Sequence, residues 1–513
     1  MTALPQSAFR PPRFRAPRGL LSARLIYVLL PLPIGLMVGL FSMLMGASPV
    51  YVMLQLLLFL LLIPAIYILL SDEKLFISIV LVSFIKIFFL SQIISIVVWH
   101  TPDANLQSAE MTETAMIVGF VSAIVGIAVA RLLYTALPRR RSVLYWSPTP
   151  ERLYRLGIYA GLIGFPAQTF WTIHILRETN IGSLQEGGGA PILAFLSIFS
   201  LLSMCCFAAV ALIRSRGETF LSASAIGAIG LYFLLILPLA TKTEPLRPII
   251  CLAVIAMMFR WRPRVVPIAI GLALFALVVE FFYPAITLAR MTAYAEQEPT
   301  AVVFGEIALK SIQDPTEFAY IRDYTDGFEL GGRQDYFGHV MGFWDRFTPI
   351  RTDQLVTGSR YVEPIGFSAL PQAFYQILPQ ALGFKKDMSS QLGLEAAMHR
   401  SNLDKGKVGW ENSGYVGDGF VAGGLPIVAT YCFLFAFTGS LATRMIFRPT
   451  SSDILWVPLF VILMFAVADG SWVIGAYTYF WTWAIYVGGL FVLLRYMARR
   501  DPALLGHNLS ETG

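Results

Sequence analysis

The residues with the clearest chemical potential are arginines between positions 289 and 415. A guanidinium group keeps its proton and presents a fork of donors that matches phosphate oxygens. Arg290 follows a long apolar run at the depth of lipid headgroups, where it is equally well explained as an interfacial arginine that extends toward water. Six further arginines are individually typical of surface or ion-pair residues, and together they indicate an anion site: Arg322, Arg333, Arg346, Arg351, Arg360 and Arg400.

A second group of reactive side chains stands at the end of the same segment. A histidine or carboxylate within hydrogen-bond reach can act as a general base toward a hydroxyl, so His399 and Glu411 are alternative candidates, with Asp418 as a further carboxylate. Trp410 and Tyr415 add aromatic rings that could stack on sugar faces. Ordinary readings compete with these roles, because His399 is equally typical of a loop histidine and Asp418 is expected to cap the helix that starts there.

The elements that must position these groups are membrane helices. Of the 513 residues, 56% are hydrophobic and 14% are charged, against about 25% charged in soluble proteins. This composition excludes soluble, secreted, disordered, fibrous and nucleic-acid-binding proteins and predicts an all-α polytopic membrane protein. Twelve apolar runs are predicted to span the bilayer: 25–46, 50–70, 75–99, 115–136, 156–176, 192–213, 221–240, 248–260, 265–288, 418–444, 454–474 and 477–496.

Basic residues predict the orientation of these helices. Most arginines of the short connections fall in alternate segments, and the other short connections hold only Arg177, Lys242 and Arg247. The positive-inside rule then places both termini in the cytoplasm. The predicted organisation is a basic N-terminus (1–24), helices 1–9 (25–288), a large extracytoplasmic cap loop between helices 9 and 10 (289–415), helices 10–12 (416–496) and a cytoplasmic tail (497–513).

The chain lacks the motifs of nucleotide and metal chemistry. It contains no P-loop, no G-x-G-x-x-G and no nucleophile elbow, so no cofactor and no metal are expected. The predicted cytoplasmic connections are too short to hold a nucleotide site. We therefore expect a site on the outer face that takes a substrate activated beforehand, and a lipid-linked diphosphate delivered by the membrane meets that condition.

A glycine-rich stretch carries a resemblance to a known family. Residues 414–440 read GYVGDGFVAGGLPIVATYCFLFAFTGS, which resembles the late segment of bacterial O-antigen and exopolysaccharide repeat-unit polymerases (Wzy-type). The arrangement of about twelve predicted helices with a large outer loop late in the chain is similar to that family and to the related O-antigen ligases.

The resemblance implies a GT-C-related, metal-independent glycosyltransferase of the bacterial inner membrane. It would polymerise oligosaccharide repeat units carried on undecaprenyl pyrophosphate, with a flippase and a chain-length regulator as partners and no nucleic acid. Arg290, Arg322, Arg333 and Arg360 would hold the donor pyrophosphate, and either His399 or Glu411 would act as base on the acceptor. An O-antigen ligase and a lipid-linked glycan flippase or transporter remain alternatives.

Overall fold

The computed structural model of the chain describes eleven stretches and a few scattered positions. The stretches are 29–71, 106–136, 149–178, 191–236, 244–259, 300–313, 350–364, 366–368, 414–446, 453–459 and 472–500. The scattered positions are 261, 269, 273, 285, 289, 461 and 462.

All regular structure in these stretches is helical. In chain order the α-helices are α1 (Pro31–Leu44), α2 (Pro49–Ser71), α3 (Ala109–Ala136), α4 (Pro150–Glu178), α5 (Pro191–Leu196), α6 (Ile198–Arg214), α7 (Ala223–Ile236), α8 (Leu246–Met258), α9 (Thr300–Gln313), α10 (Ile350–Gly358), α11 (Gly414–Gly423), α12 (Leu425–Ile446) and α13 (Trp472–Arg500). Short 3₁₀ turns lie at Ser359–Tyr361, Gly366–Ser368 and Asp453–Trp456.

The lengths and apolarity of these helices are those of a membrane protein. Among the described residues, four helical segments are long and apolar enough to cross a bilayer: Pro49–Ile66, Ala109–Thr135, Ile192–Arg214 and Phe480–Met497. Shorter apolar helices coincide with α1, α7, α8 and α12. The prediction of an all-helical membrane chain is confirmed at this level, and the predicted spans 75–99 and 265–288 fall largely or wholly outside the described residues.

Small residues bring the core helices into close contact. The most extensive packing joins α3 to α12 and α4 to α6. A Cβ atom on Gly126 of α3 would lie 2.6 Å from the Phe433 carbonyl oxygen of α12, and the Ser203 hydroxyl of α6 donates to the Gly157 carbonyl of α4 at 2.7 Å. Such close backbone approach with interhelical hydrogen bonds is how helices associate in lipid, where no hydrophobic force drives them together.

The predicted helix 418–444 is interrupted at one residue. Gly424 separates α11 from α12 and has φ +73°, in the left-handed region that glycine occupies at no steric cost. Its N–H donates to the Phe420 carbonyl at 2.8 Å and so closes the end of α11. The expectation that Asp418 caps a helix was wrong, because α11 begins at Gly414 and Asp418 lies inside it.

We predict that Gly424→Ala destabilises the protein by about 1–2 kcal/mol, because alanine pays a steric cost in the left-handed region. The effect is measured as a lower midpoint of thermal unfolding of the detergent-solubilised chain. Gly488→Ala is the matched control, since Gly488 lies inside α13 and, apart from its own helix, no described residue has an atom within 4 Å of an added Cβ. An equal loss in both variants would contradict the role assigned to the break.

Candidate functional site

The structure describes three of the ten residues predicted for the site. Tyr415 and Asp418 lie on α11, and Arg360 lies in the 3₁₀ turn that follows α10. The other seven lie outside the described residues, and their roles stay predictions: Arg290, Arg322, Arg333, His399, Arg400, Trp410 and Glu411.

Most residues of helix α11 are buried, and Asp418 is its charged residue. Tyr415 is buried, with its ring 5.1 Å from that of Phe435 on α12 in an edge-to-face arrangement. A Cβ atom on Gly419 would lie 3.0 Å from the Val428 Cα atom, so α11 approaches α12 closely. Asp418 is half-buried.

The structure brings the segment of Arg360 onto this same helix. Helix α10 packs against α11, and the buried side chains of Leu355, Val362 and Val421 form one apolar cluster between them. Arg360 itself is exposed to solvent, two residues before Val362. Three of the predicted residues, Arg360, Tyr415 and Asp418, therefore belong to segments that pack together.

A fully buried carboxylate in this region was not among the predicted site residues. Asp353, on α10, is completely buried. It accepts hydrogen bonds from the Gln107 and Ser108 backbone N–H groups at 3.1 and 2.8 Å and from the Thr112 hydroxyl at 3.0 Å. The partner residues lie more than 200 positions away in the chain, so no local pattern indicates this contact.

An arginine–carboxylate pair at the start of α8 was also not among the predicted site residues. The Arg247 Nη1 atom donates to Glu244 Oε1, and the Tyr232 hydroxyl, from α7, donates to Glu244 Oε2 at 3.2 Å. The side chain of Arg247 is 25% exposed and that of Glu244 is 15% exposed. The only sequence signal was the spacing of three residues between the two charges, in a connection counted as nearly free of basic residues.

The Arg247 guanidinium keeps some exposure beside its pairing with Glu244. Its Nε–H group is buried and meets no hydrogen-bond acceptor among the described residues, so a ligand would approach the Nη atoms of this side chain, which is 25% exposed. A planar cation held at one corner by a carboxylate is suited to bind a phosphate or carboxylate. The arrangement is therefore a candidate anion site.

The neighbouring helix end is tied to the same region. The Thr172 hydroxyl of α4 donates to the Leu235 carbonyl near the end of α7 at 3.0 Å, and the Gln168 amide donates to the Thr172 hydroxyl at 3.4 Å. Both side chains are buried. These hydrogen bonds hold the last turn of α7 against α4. Tyr232 lies on the same helix, and its hydroxyl bonds to the carboxylate that pairs with Arg247.

The described residues hold no group of three or more histidine, cysteine, aspartate or glutamate side chains that could bind a metal ion. Comparison of the chain with protein-family models, with curated proteins and with solved structures finds no match.

Proposed function

We propose that the chain is a membrane glycosyltransferase that polymerises oligosaccharide repeat units linked to undecaprenyl pyrophosphate on the periplasmic face of the inner membrane. The reducing-end sugar of a growing glycan would be transferred from its lipid pyrophosphate to a hydroxyl of the incoming unit. The bond from the sugar to the pyrophosphate breaks, a bond to the acceptor oxygen forms, and the acceptor proton passes to a base. His399 and Glu411 remain the candidates for this base, with Asp418 as a further carboxylate of the proposed site.

One observation carries this proposal. The Arg247 guanidinium lies partly buried at the start of α8, is held by Glu244 and keeps a quarter of its side chain exposed. A leaving pyrophosphate gains charge as the glycosidic bond breaks, and a fixed cation in a site of low polarity stabilises that charge. Arg290, Arg322, Arg333 and Arg360 would supply further cations to the same group.

Contacts between connecting segments support the proposed orientation. Segments that the arginine pattern assigns to the outer side contact one another: the Ser48 hydroxyl donates to Glu110 at 2.7 Å, and Ser108 bonds to Asp353 of the long loop. Segments assigned to the cytoplasmic side do the same, since Trp261 Nε1 donates to the Glu218 carbonyl at 3.2 Å. These contacts agree with both termini in the cytoplasm and residues 289–415 outside, and we propose this orientation for the twelve spans of the apolar runs; the GT-C-related arrangement is proposed from the resemblance alone.

The test is deletion of the coding sequence followed by gel analysis of surface polysaccharide. We expect the long-chain ladder to disappear while single repeat units still reach the cell surface. Complementation with the intact chain should restore the ladder. A normal ladder in the deletion strain would contradict the proposal.

The same gels separate the alternative functions. Loss of every glycan attached to the core, single units included, would indicate a ligase. Accumulation of lipid-linked units on the cytoplasmic side would indicate a flippase or transporter. Membrane lipid and the lipid-linked substrate are the partners that the proposal requires, with a flippase and a chain-length regulator acting before and beside it.

A further inference from the structure

Helix α10 connects two parts of the molecule that are far apart in sequence. One end carries Asp353, which contacts the start of α3, and its side packs against α11 through the cluster of Leu355, Val362 and Val421. Thr357, one turn after Asp353, donates to the Ser108 hydroxyl at 2.9 Å. We refer to Asp353 and Thr357, with their partners Gln107, Ser108 and Thr112, as the clasp.

The clasp combines buried hydrogen bonds with a favourable charge at the start of α3. The first N–H groups of an α-helix lack partners within the helix, and the helix dipole favours negative charge at that end. The Asp353 carboxylate supplies both the acceptors and the charge, and it is fully buried. Hydrogen bonds to a charged group are worth more than neutral ones, and their loss in a buried place leaves an unsatisfied polar group.

Helix α11 depends on α10 for its position. Its chain connection to α12 is the single residue Gly424, whose backbone has no side chain to restrict it. Val421 is the residue of α11 that enters the apolar cluster with α10, and Asp418 lies one turn before it. The orientation of Asp418 is therefore determined by α10 as well as by α12, and α10 is in turn fixed by the clasp.

We propose that Asp353 is a positioning residue for the reaction, which acts through α10 on α11 and thereby on Asp418. This inference rests on the proposed function for its activity readout, but its structural part stands independently of that function. It predicts that weakening the clasp loosens α11 selectively and slows chain extension, while the helix core around α4 and α6 is unaffected.

The test uses the full-length chain with two ways of weakening the clasp. Asp353→Asn keeps the shape but places an amide donor against a backbone donor and removes the charge. Thr112→Val removes one hydrogen bond and keeps nearly the same side-chain volume. This variant tests the inference if Asp353→Asn does not fold. Thr112→Ser keeps the hydroxyl and should behave as the wild type. Thr135→Val is the matched control at the other end of α3, where the hydroxyl donates to the Leu132 carbonyl of the same helix.

Two readouts are compared for each variant. Hydrogen–deuterium exchange of amides 415–423 should rise by about tenfold or more in Asp353→Asn and Thr112→Val, with exchange in α6 unchanged. Long-chain polysaccharide per unit of membrane-inserted protein, in deletion cells carrying each variant, should fall by a similar factor. Thr112→Ser and Thr135→Val should match the wild type in both measurements.

The outcomes distinguish this inference from the proposed function. Unchanged exchange in 415–423 would overturn the positioning role. Faster exchange with unchanged chain extension would overturn its link to the reaction while leaving the polymerase proposal intact. A deletion strain with normal polysaccharide would overturn both the proposed function and the link to the reaction, and the exchange data would then decide the structural part alone.

Discussion

Replacing Arg247 with alanine is expected to abolish long-chain polysaccharide, with chain extension reduced by about 100-fold or more, the usual cost of removing one preorganised group that stabilises developing charge. Arg247→Lys is expected to fail nearly as completely. Lysine can still pair with Glu244 and so preserves the local charge balance, but it lacks the planar fork that binds two phosphate oxygens at once. The measurement is the polysaccharide ladder in deletion cells that carry each variant.

Graded and matched variants separate a loss of chemistry from a loss of folding. Tyr232→Phe removes only the hydroxyl that bonds to the Glu244 carboxylate and should cost about 10-fold, the lower end of the range for a hydrogen bond to a charged group. Arg131→Ala removes an exposed arginine of α3 and should leave the ladder unchanged. If Arg247→Lys supported a normal ladder, the two-point binding of a diphosphate would be refuted.

Replacing Gly164 with alanine is expected to prevent stable assembly of the helix core. An added Cβ atom would overlap the Ser200 backbone nitrogen and the Phe199 carbonyl carbon at the start of α6. Backbone atoms cannot move aside as a flexible side chain would, so α4 and α6 must separate. Overpacking of this kind costs about 1–3 kcal/mol and sometimes more, and we expect the upper part of that range or beyond.

The measurement is the amount of folded protein recovered from membranes and the midpoint of its thermal unfolding. Gly227→Ala is the matched control, because Gly227 lies inside α7 and no part of the described chain beyond that helix comes within 4 Å of an added Cβ. That change should be neutral or slightly stabilising, since alanine favours helix over glycine by up to about 1 kcal/mol. Equal recovery of both variants would argue against close α4–α6 contact.

Sequence alone predicts helices well where an apolar run ends in polar residues. The predicted span 50–70 corresponds to Pro49–Ser71, and 477–496 corresponds to the centre of Trp472–Arg500. The prediction of one helix over 418–444 was wrong, because the run stays apolar through Gly424 and hydropathy carries no information on the direction of the backbone. Gly423, Gly424 and Pro426 together were the available signal, since paired glycines followed by proline are typical of a helix end.

The candidate site was less predictable than the fold. The spacing of three residues between Glu244 and Arg247 is visible in the sequence and is typical of an ion pair. Which arginine is half-buried depends on packing against Tyr232, and that is a tertiary property. Asp353 could not have been identified at all, because a loop aspartate in isolation is typical of a solvated surface.

The interruption at Gly424 has a consequence for how an amphiphile could reach α11. Helix α12 has 22 residues, a rise of about 33 Å, of which Leu425–Leu441 form the apolar part. A helix junction that borders acyl chains must keep its peptide groups paired. Here the Gly424 N–H donates to the Phe420 carbonyl, and the Gly424 carbonyl accepts from the Val428 N–H at 3.1 Å. An amphiphile could therefore pass beside this break without meeting an unpaired backbone group of Gly424.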